Sequence, residues 1–270
     1  MSEPLSKERI EYLRAGKKRR KLILISQLLL LIIFFAQWEI TARLGLVDAF
    51  IVSCPSRVWA TFTELWRSGD LWLHVGTSCL ETVIGFTLGT ALGTLIAIGL
   101  WWSELASKIL DPYLVVLNAL PKTALGPIFI VWMGAGTASI VTMTLAISIV
   151  VTILNMHMGF ISTDGEKIRL MRSLGASKRQ IMGMLVFPAN YSTLFNTLRV
   201  NVGLSWVGVI MGEFLVSKAG LGYLIVYGSQ VFNMDLVMAT ILLLAIAAVI
   251  MYQCVIWLEK ILKNRLGVVE

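Results

Sequence analysis

The sequence predicts an all-α polytopic membrane protein of six transmembrane helices, and three observations carry that prediction. Of 270 residues, 57% are hydrophobic and only 14% charged, with a mean hydropathy of +0.80, which lies outside the soluble range. Six windows, roughly 22–42, 78–101, 113–133, 138–158, 194–215 and 236–258, reach the length of about 20 apolar residues that a helix needs to cross a bilayer. The basic residues fall between those windows and alternate in density: seventeen on the segments of one side, four on the other. By the positive-inside rule the rich side is cytoplasmic, which is expected to place both termini of a multi-pass membrane protein in the cytoplasm. The net charge of +7 therefore reads as a topology signal; no basic stripe interleaved with aromatics points to nucleic acid.

The chain opens with a basic segment, 1–21, ending Lys17-Lys18-Arg19-Arg20-Lys21. The apolar run behind it continues to about Ala42 with no small-x-small cleavage site, so it is expected to stay as the first span rather than leave as a signal peptide. Next, Pro55 opens a stretch to Trp66 with Val58, Trp59, Phe62, Leu65 and Trp66 at helical spacing. It predicts an amphipathic helix, either lying in the outer interface or serving as a soluble-side packing helix.

The second span carries Gly85, Gly89 and Gly93 at four-residue intervals and the fifth carries Gly208 and Gly212. Small residues on one face let backbones approach in lipid, so both are expected to be contact faces, within the chain or between subunits. Pro121 is expected to break the third span. Gly134-Ala-Gly-Thr137 separates the third and fourth windows and predicts a tight hairpin turn. Cys54, Cys79 and Cys254 lack any ligand or disulfide spacing and read as structural. The transmembrane domain closes at 258, and 259–270 form a cytoplasmic tail.

The loop at 160–190 is the most informative segment. Thr163-Asp-Gly-Glu166 has the form of a capping box, which predicts a helix to about Leu174. Gly175 stands where a helix end favours a left-handed residue. Ser177-Lys-Arg-Gln180 forms a second box, and Pro188 is expected to stop the helix it starts. Helix, sharp turn and helix at the cytoplasmic face describe a docking element rather than a solvated loop.

Candidate functional groups inside the membrane are the polar ones, because they are expensive there. They are Asn118, Lys122, Asn201 and Glu213, with Asn155, His157 and Arg199 more ordinary. A cation at Lys122 beside the Pro121 break would suit an anionic solute; snorkelling or an ion pair would place it equally well. Glu213 pairs with a base or lines an outer gate. No catalytic constellation and no metal site is expected.

At the 160–190 loop the sequence resembles the inner-membrane permease subunits of bacterial ABC importers. Their motif is Glu-Ala-Ala, three residues, Gly, nine residues, then Ile-x-Leu-Pro. Here Gly175 is followed by nine residues and Leu185-Val186-Phe187-Pro188, while Arg169-Leu170-Met171 stands at the Glu-Ala-Ala positions, with Glu166 one turn away. The segment Asn118–Gly134 and Gly220-Leu-Gly-Tyr-Leu224 look like the nitrate, sulfonate, taurine and bicarbonate branch, which also holds transporters of thiamine pyrimidine precursors.

The resemblance implies a type I importer permease fold and a permease pair, most simply a homodimer. It also implies two cytoplasmic ATPase subunits that bind ATP and Mg, and an extracytoplasmic substrate-binding protein. Glu166, Arg169, Gly175, Ala176, Ser177, Lys178 and Pro188 would serve the coupling to the ATPase. The chain has no Gly-x-x-x-x-Gly-Lys-Ser/Thr phosphate loop, so an importer subunit is expected rather than an enzyme. The competing expectation, a gradient-driven carrier or channel, calls for inverted repeats with broken helices in both halves, and only the Pro121–Pro127 region looks broken.

Overall fold

The computed structural model describes residues 7–266; the outermost parts of the expected N-terminal segment and C-terminal tail lie outside the described residues. Within them the chain is helical, with no strand. In order come α1 (Lys7–Arg43), α2 (Ala49–Val52), α3 (Pro55–Ser68), α4 (Asp70–Trp102), α5 (Glu104–Ala119), a 3-10 turn at Lys122–Leu125 and α6 (Gly126–Met133). Then follow α7 (Thr137–Ile161), α8 (Gly165–Ser173), α9 (Lys178–Ile181), a π-turn at Met182–Val186, α10 (Phe187–Ala189), α11 (Tyr191–Val216), α12 (Leu221–Gln230) and α13 (Met234–Leu266).

Five of these helices are long and apolar enough to span a membrane: α1 from Lys21, α4, α7, α11 and α13. The third expected span, 113–133, is not one rod. It is α5 and α6 with the short turn between them, bent by 88°. The cause is local: Leu120 is extended, as the residue before a proline prefers, and Pro121 has no N–H to continue the ladder. The span also starts earlier than expected, at Glu104, with Ser103 capping it through the Ala106 amide. Glycines 134 and 136, with φ of 82° and 154°, close the expected hairpin into α7.

The core is α4, α7 and α11, and the glycine spacing explains their closeness. A Cβ on Gly85 would lie 2.4 Å from Thr144, one on Gly89 2.0 Å from Ser148, and one on Gly93 2.6 Å from Thr152. Across the other side of α7, Gly208 meets Thr144 and Gly212 meets Ile140. Both glycine faces are therefore spent inside the chain, where they bring α4 and α11 close against α7. The hydroxyls on α7 do not strand themselves there: Thr144, Ser148 and Thr152 each donate to the carbonyl four residues back.

Helix α3 begins at Pro55 as expected and ends at Gly69 in the left-handed region. It buries Val58, packs Phe62 and Leu65 on the core, and leaves Trp59 and Trp66 exposed. Its Arg57 pairs with Asp235 at the start of α13, 2.7 Å apart. Helix α1 stands aside from the core, touching it at its C-terminal end, where the Trp38 indole donates to the Ser53 carbonyl.

Candidate functional site

Two ends of the bundle carry its polar chemistry: the end bearing the 162–190 loop, and the opposite end, where residues 217–220 lead into α12. A third location is the break between α5 and α6.

At the loop end, α8 and α9 flank a turn at Gly175, and two of the expected details differ. The first cap is Asp164, not Thr163: its Oδ1 accepts the Glu166 amide at 2.9 Å. The Thr163 hydroxyl faces the bundle instead and accepts from Asn190 Nδ2 at 2.9 Å. An Asx cap two residues from its donor outcompetes the threonine because its carboxylate reaches the amide directly.

Helix α8 then ends in a complete Schellman turn. The Ala176 amide donates to Met171 O and the Gly175 amide to Arg172 O, both at 3.0 Å, with Gly175 at φ 82°. The second box forms as expected: the Gln180 amide donates to Ser177 Oγ, and Gln180 Oε1 accepts from the Ser177 amide at 2.8 Å.

Pro188 does not stop the second helix. The backbone widens into the π-turn at Met182–Val186, and the Phe187 amide reaches back five residues to Met182 O. That extra residue takes up the strain a proline causes, so α9, the π-turn and α10 lead almost without interruption to α11. Underneath, Ile168, Met171, Ala176, Ile181, Met182 and Val186 pack on the ends of α4 and α7 in one apolar cluster. Glu166 and Arg169 lie on the exposed side of α8, and Ser177 is exposed as well. Lys178 is exposed too, and its ammonium reaches the end of α4, donating to the Trp102 carbonyl at 2.5 Å.

The apolar tip is also on view. Leu174 is 77% exposed, and Leu170 and Met184 are exposed beside it. Next to the loop, Asn155, Thr163, Asp164, Asn190, Thr193 and Asn196 line a polar cleft of about 770 Å³ between α7 and α11.

At the other end Glu213 is 1% exposed. It pairs with no base. Its Oε1 accepts from the Ser78 hydroxyl and its Oε2 from the Gly222 amide, each at 2.5 Å. The Ser78 hydroxyl in turn accepts the Leu221 amide at 2.7 Å, and His74 Nδ1 accepts the Gly220 amide at 3.0 Å. Three of the first amides of the 220–222 turn, which the start of a helix leaves without partners, are thus met by α4 and α11. Gly220, at φ 119°, lies so close that a Cβ would sit 2.3 Å from Glu213 Oε1.

Sequence reasoning passes over Ser78, His74 and Glu81. Glu81 is also 1% exposed, lies against Glu213 and Thr137, and leaves Oε2 with no partner. A lone acid inside the 78–101 window is the signal that could have found it.

Asn201 is fully buried mid-bundle, donating to Thr90 Oγ1 at 3.0 Å and Thr152 Oγ1 at 2.7 Å. It bridges α4, α7 and α11. Asn118 and Lys122 flank the α5–α6 break, where Lys122 Nζ donates to the Asn118 carbonyl at 3.1 Å. Asn118 is exposed and Lys122 half-buried. The structure therefore brings Asn118 and Lys122 together but leaves Asn201 and Glu213 at separate depths, each occupied in holding helices together.

An apolar bundle with a broken third span and a capped loop between its fourth and fifth spans defines a multi-pass membrane protein. Residues 89–268 match the family model of the binding-protein-dependent transport system inner membrane component, and the chain belongs to that family. It is 29% identical over 231 residues to a permease protein of Bacillus subtilis (strain 168) named for aliphatic sulfonate transport, covering 85% of this chain and 84% of that one. It is 28% identical to the formylaminopyrimidine transport permease protein of Halalkalibacterium halodurans, over 83% of this chain and 89% of the relative. With the taurine transport system permease protein of Escherichia coli (strain K12) it shares 25% identity over 78% of each chain. A solved structure described as an amino acid ABC transporter with histidines superposes with a TM-score of 0.56 at 15% identity, covering 77% of this chain and 96% of that one, and shows the shared fold. The protein is thus a membrane-embedded ABC importer permease and is not itself an enzyme.

Proposed function

We propose that this permease moves a small anionic or heterocyclic solute, sulfonate- or taurine-like, into the cytoplasm by alternating access, with the 162–190 loop as the handle of a separate ATPase. The observation that carries the reading is the exposed apolar tip of a rigidly capped element. Two caps and a Schellman turn fix the backbone from Asp164 to Gln180, yet Leu170, Leu174 and Met184 remain in the open. An ordered loop that shows leucine outward is built to be covered by a protein.

In this reading both termini are cytoplasmic and two copies of the chain form the pathway. Two ATPase subunits, which bind ATP and Mg, grip the turns around Gly175, and an external binding protein delivers the solute. Glu166, Arg169, Ala176 and Ser177 border the gripped surface. The spread of cargo names among the relatives, from sulfonates to a formylaminopyrimidine, fits a specificity set mainly by the delivering protein. Within the chain, Asn118 and Lys122 are the groups best placed to meet the solute, since a discontinuous span offers both free backbone and a cation at membrane depth.

The test is Gly175→Val. A β-branched residue at φ 82° is a backbone outlier, so the turn must change shape. Co-purification of the ATPase with the variant should fall sharply while the bundle stays monodisperse; undiminished co-purification would take the docking role away from this turn.

A further inference from the structure

Lys178 is the first residue of α9, and its side chain, although exposed, reaches across to another helix. It crosses to the end of α4. Its Nζ donates to the carbonyl of Trp102, the last residue of that helix, and stands 5.6 Å from the Trp101 ring and 5.9 Å from the Trp102 ring. The last four carbonyls of a helix lack intrahelical partners and sit at the negative end of its dipole. A lysine there meets one of them with a charge-assisted bond, and the two indole faces add cation–π attraction. The nearest alternative is Glu104, but its carboxylate is held by Lys108 at 2.7 Å. The ammonium bonds to the helix end and also adds its charge to the surroundings of Glu104.

Beneath the bond the two elements are also fused by packing. Ala97, Ile98 and Trp101 of α4 share one apolar cluster with Ala176, Ile181 and Met182. A displacement of α9 is felt at the ends of both α4 and α7, which share this cluster through Ala97, Met156 and Phe160, because a close-packed cluster does not deform continuously.

What α4 does at its far end gives the link its meaning. Its 33 residues form one unbroken helix, about 50 Å long at a rise of 1.5 Å per residue. At the far end, His74 and Ser78 of the same helix accept the Gly220 and Leu221 amides, where α12 begins. Along its length, Gly85, Gly89 and Gly93 receive Thr144, Ser148 and Thr152 of α7, so the rod is keyed to α7 as it crosses the bundle.

We infer that Lys178 is a positioning residue that fastens the loop to α4, making α4 the rod that carries movement of the ATPase-gripped turn to the 220–222 turn on the opposite side of the membrane. The inference rests on the reading of the 162–190 loop as the ATPase handle, and it assigns Lys178 to the transmission of motion rather than to the grip.

The test uses the full permease–ATPase complex in nanodiscs, trapped with ADP and vanadate, and nitroxide pairs read by pulsed electron resonance. One pair, at Trp72 and Val131, reports the far ends of α4 and α6, both exposed positions. A second, at Leu105 and Leu174, reports the fastening itself. In the native complex, trapping should shift the Trp72–Val131 distance and leave Leu105–Leu174 narrow.

In Lys178→Met, which keeps the stem but loses the ammonium, the ATPase should remain bound. The ratio of shifted to unshifted far-end populations should fall roughly tenfold, the scale of one charge-assisted bond, and the Leu105–Leu174 distribution should broaden. Lys178→Arg should restore most of both. A native far-end shift in Lys178→Met would overturn the inference, as would loss of the ATPase from that variant, which would place Lys178 in the grip. If Lys178→Met aggregates, Lys178→Gln takes its place: the same fall and broadening are expected, and a native far-end shift or a lost ATPase overturns the inference in the same way. Failure of the native permease to hold an ATPase would strike the coupling reading itself, and it shows before any substitution is made.

Discussion

At the scale of single residues, buried polar groups in this bundle act as bolts between helices, and their removal has calculable effects. Asn201 donates to one hydroxyl on α4 and one on α7. Interhelical hydrogen bonds of this kind are worth about 1 kcal/mol in membrane bundles. Asn201→Ala should therefore lower the midpoint of thermal or urea unfolding in detergent by that order, with transport-competent folding retained; an unchanged midpoint would mean the bonds contribute nothing net. Gly220 is less forgiving. With φ at 119° and the Glu213 carboxylate 2.3 Å from where a Cβ would stand, Gly220→Ala should cost more than Asn201→Ala in the same unfolding measurement. Glu213→Gln, which keeps one acceptor for an amide or hydroxyl, should be milder than Glu213→Ala, which leaves the Gly222 amide without its partner. Equal losses from the two Glu213 variants would contradict the role given to this side chain.

At the scale of elements, the glycine faces make the sharpest contrast. Gly89→Ala places a methyl 2.0 Å from Ser148 Oγ, whereas nothing lies within 4 Å of a Cβ on Gly99 in the same helix. The first should force α4 from α7 at a cost of about 1–3 kcal/mol. The second should be neutral or stabilise by about 0.5–1 kcal/mol, because alanine favours the helix. Unfolding curves of the two variants, compared in one detergent, decide it; equal effects would mean the helices do not touch where the glycines lie.

The same elements show what is legible in the sequence. Spacing alone marks both glycine faces, the amphipathic α3, the α6–α7 hairpin and the second cap of the loop, because each depends on residues near in sequence. The break at Pro121 is legible too, although the 88° bend is not, since its size depends on what α5 and α6 rest against. The Asp164 cap is hidden because Thr163 matches a pattern equally well and the competition is settled by Asn190, far along the chain. Pro188 reads as a stop because the π-turn that absorbs it has no sequence mark. The site at Glu213 stays hidden for a related reason: its partners Ser78 and Gly222 come from 135 and 9 residues away.

At the scale of the whole molecule, the polar groups divide into those that hold the bundle and those that are free to work. Asn201 and Glu213, first candidates for a solute path, belong to the first kind. Asn118 and Lys122 lie at the one broken span among the described residues, and in the proposed reading they belong to the second. The central claim is that a separate ATPase drives alternating exposure of that break, and labelling from outside tests it most directly. In a background in which Cys54, Cys79 and Cys254 are replaced, Lys122→Cys in sealed vesicles is treated with a membrane-impermeant maleimide. With the ATPase present, trapping by ATP and vanadate should raise labelling from the external face severalfold, and omitting either the ATPase or the nucleotide should abolish the rise. The same rise in the purified permease alone, driven by an ion gradient, would contradict the account.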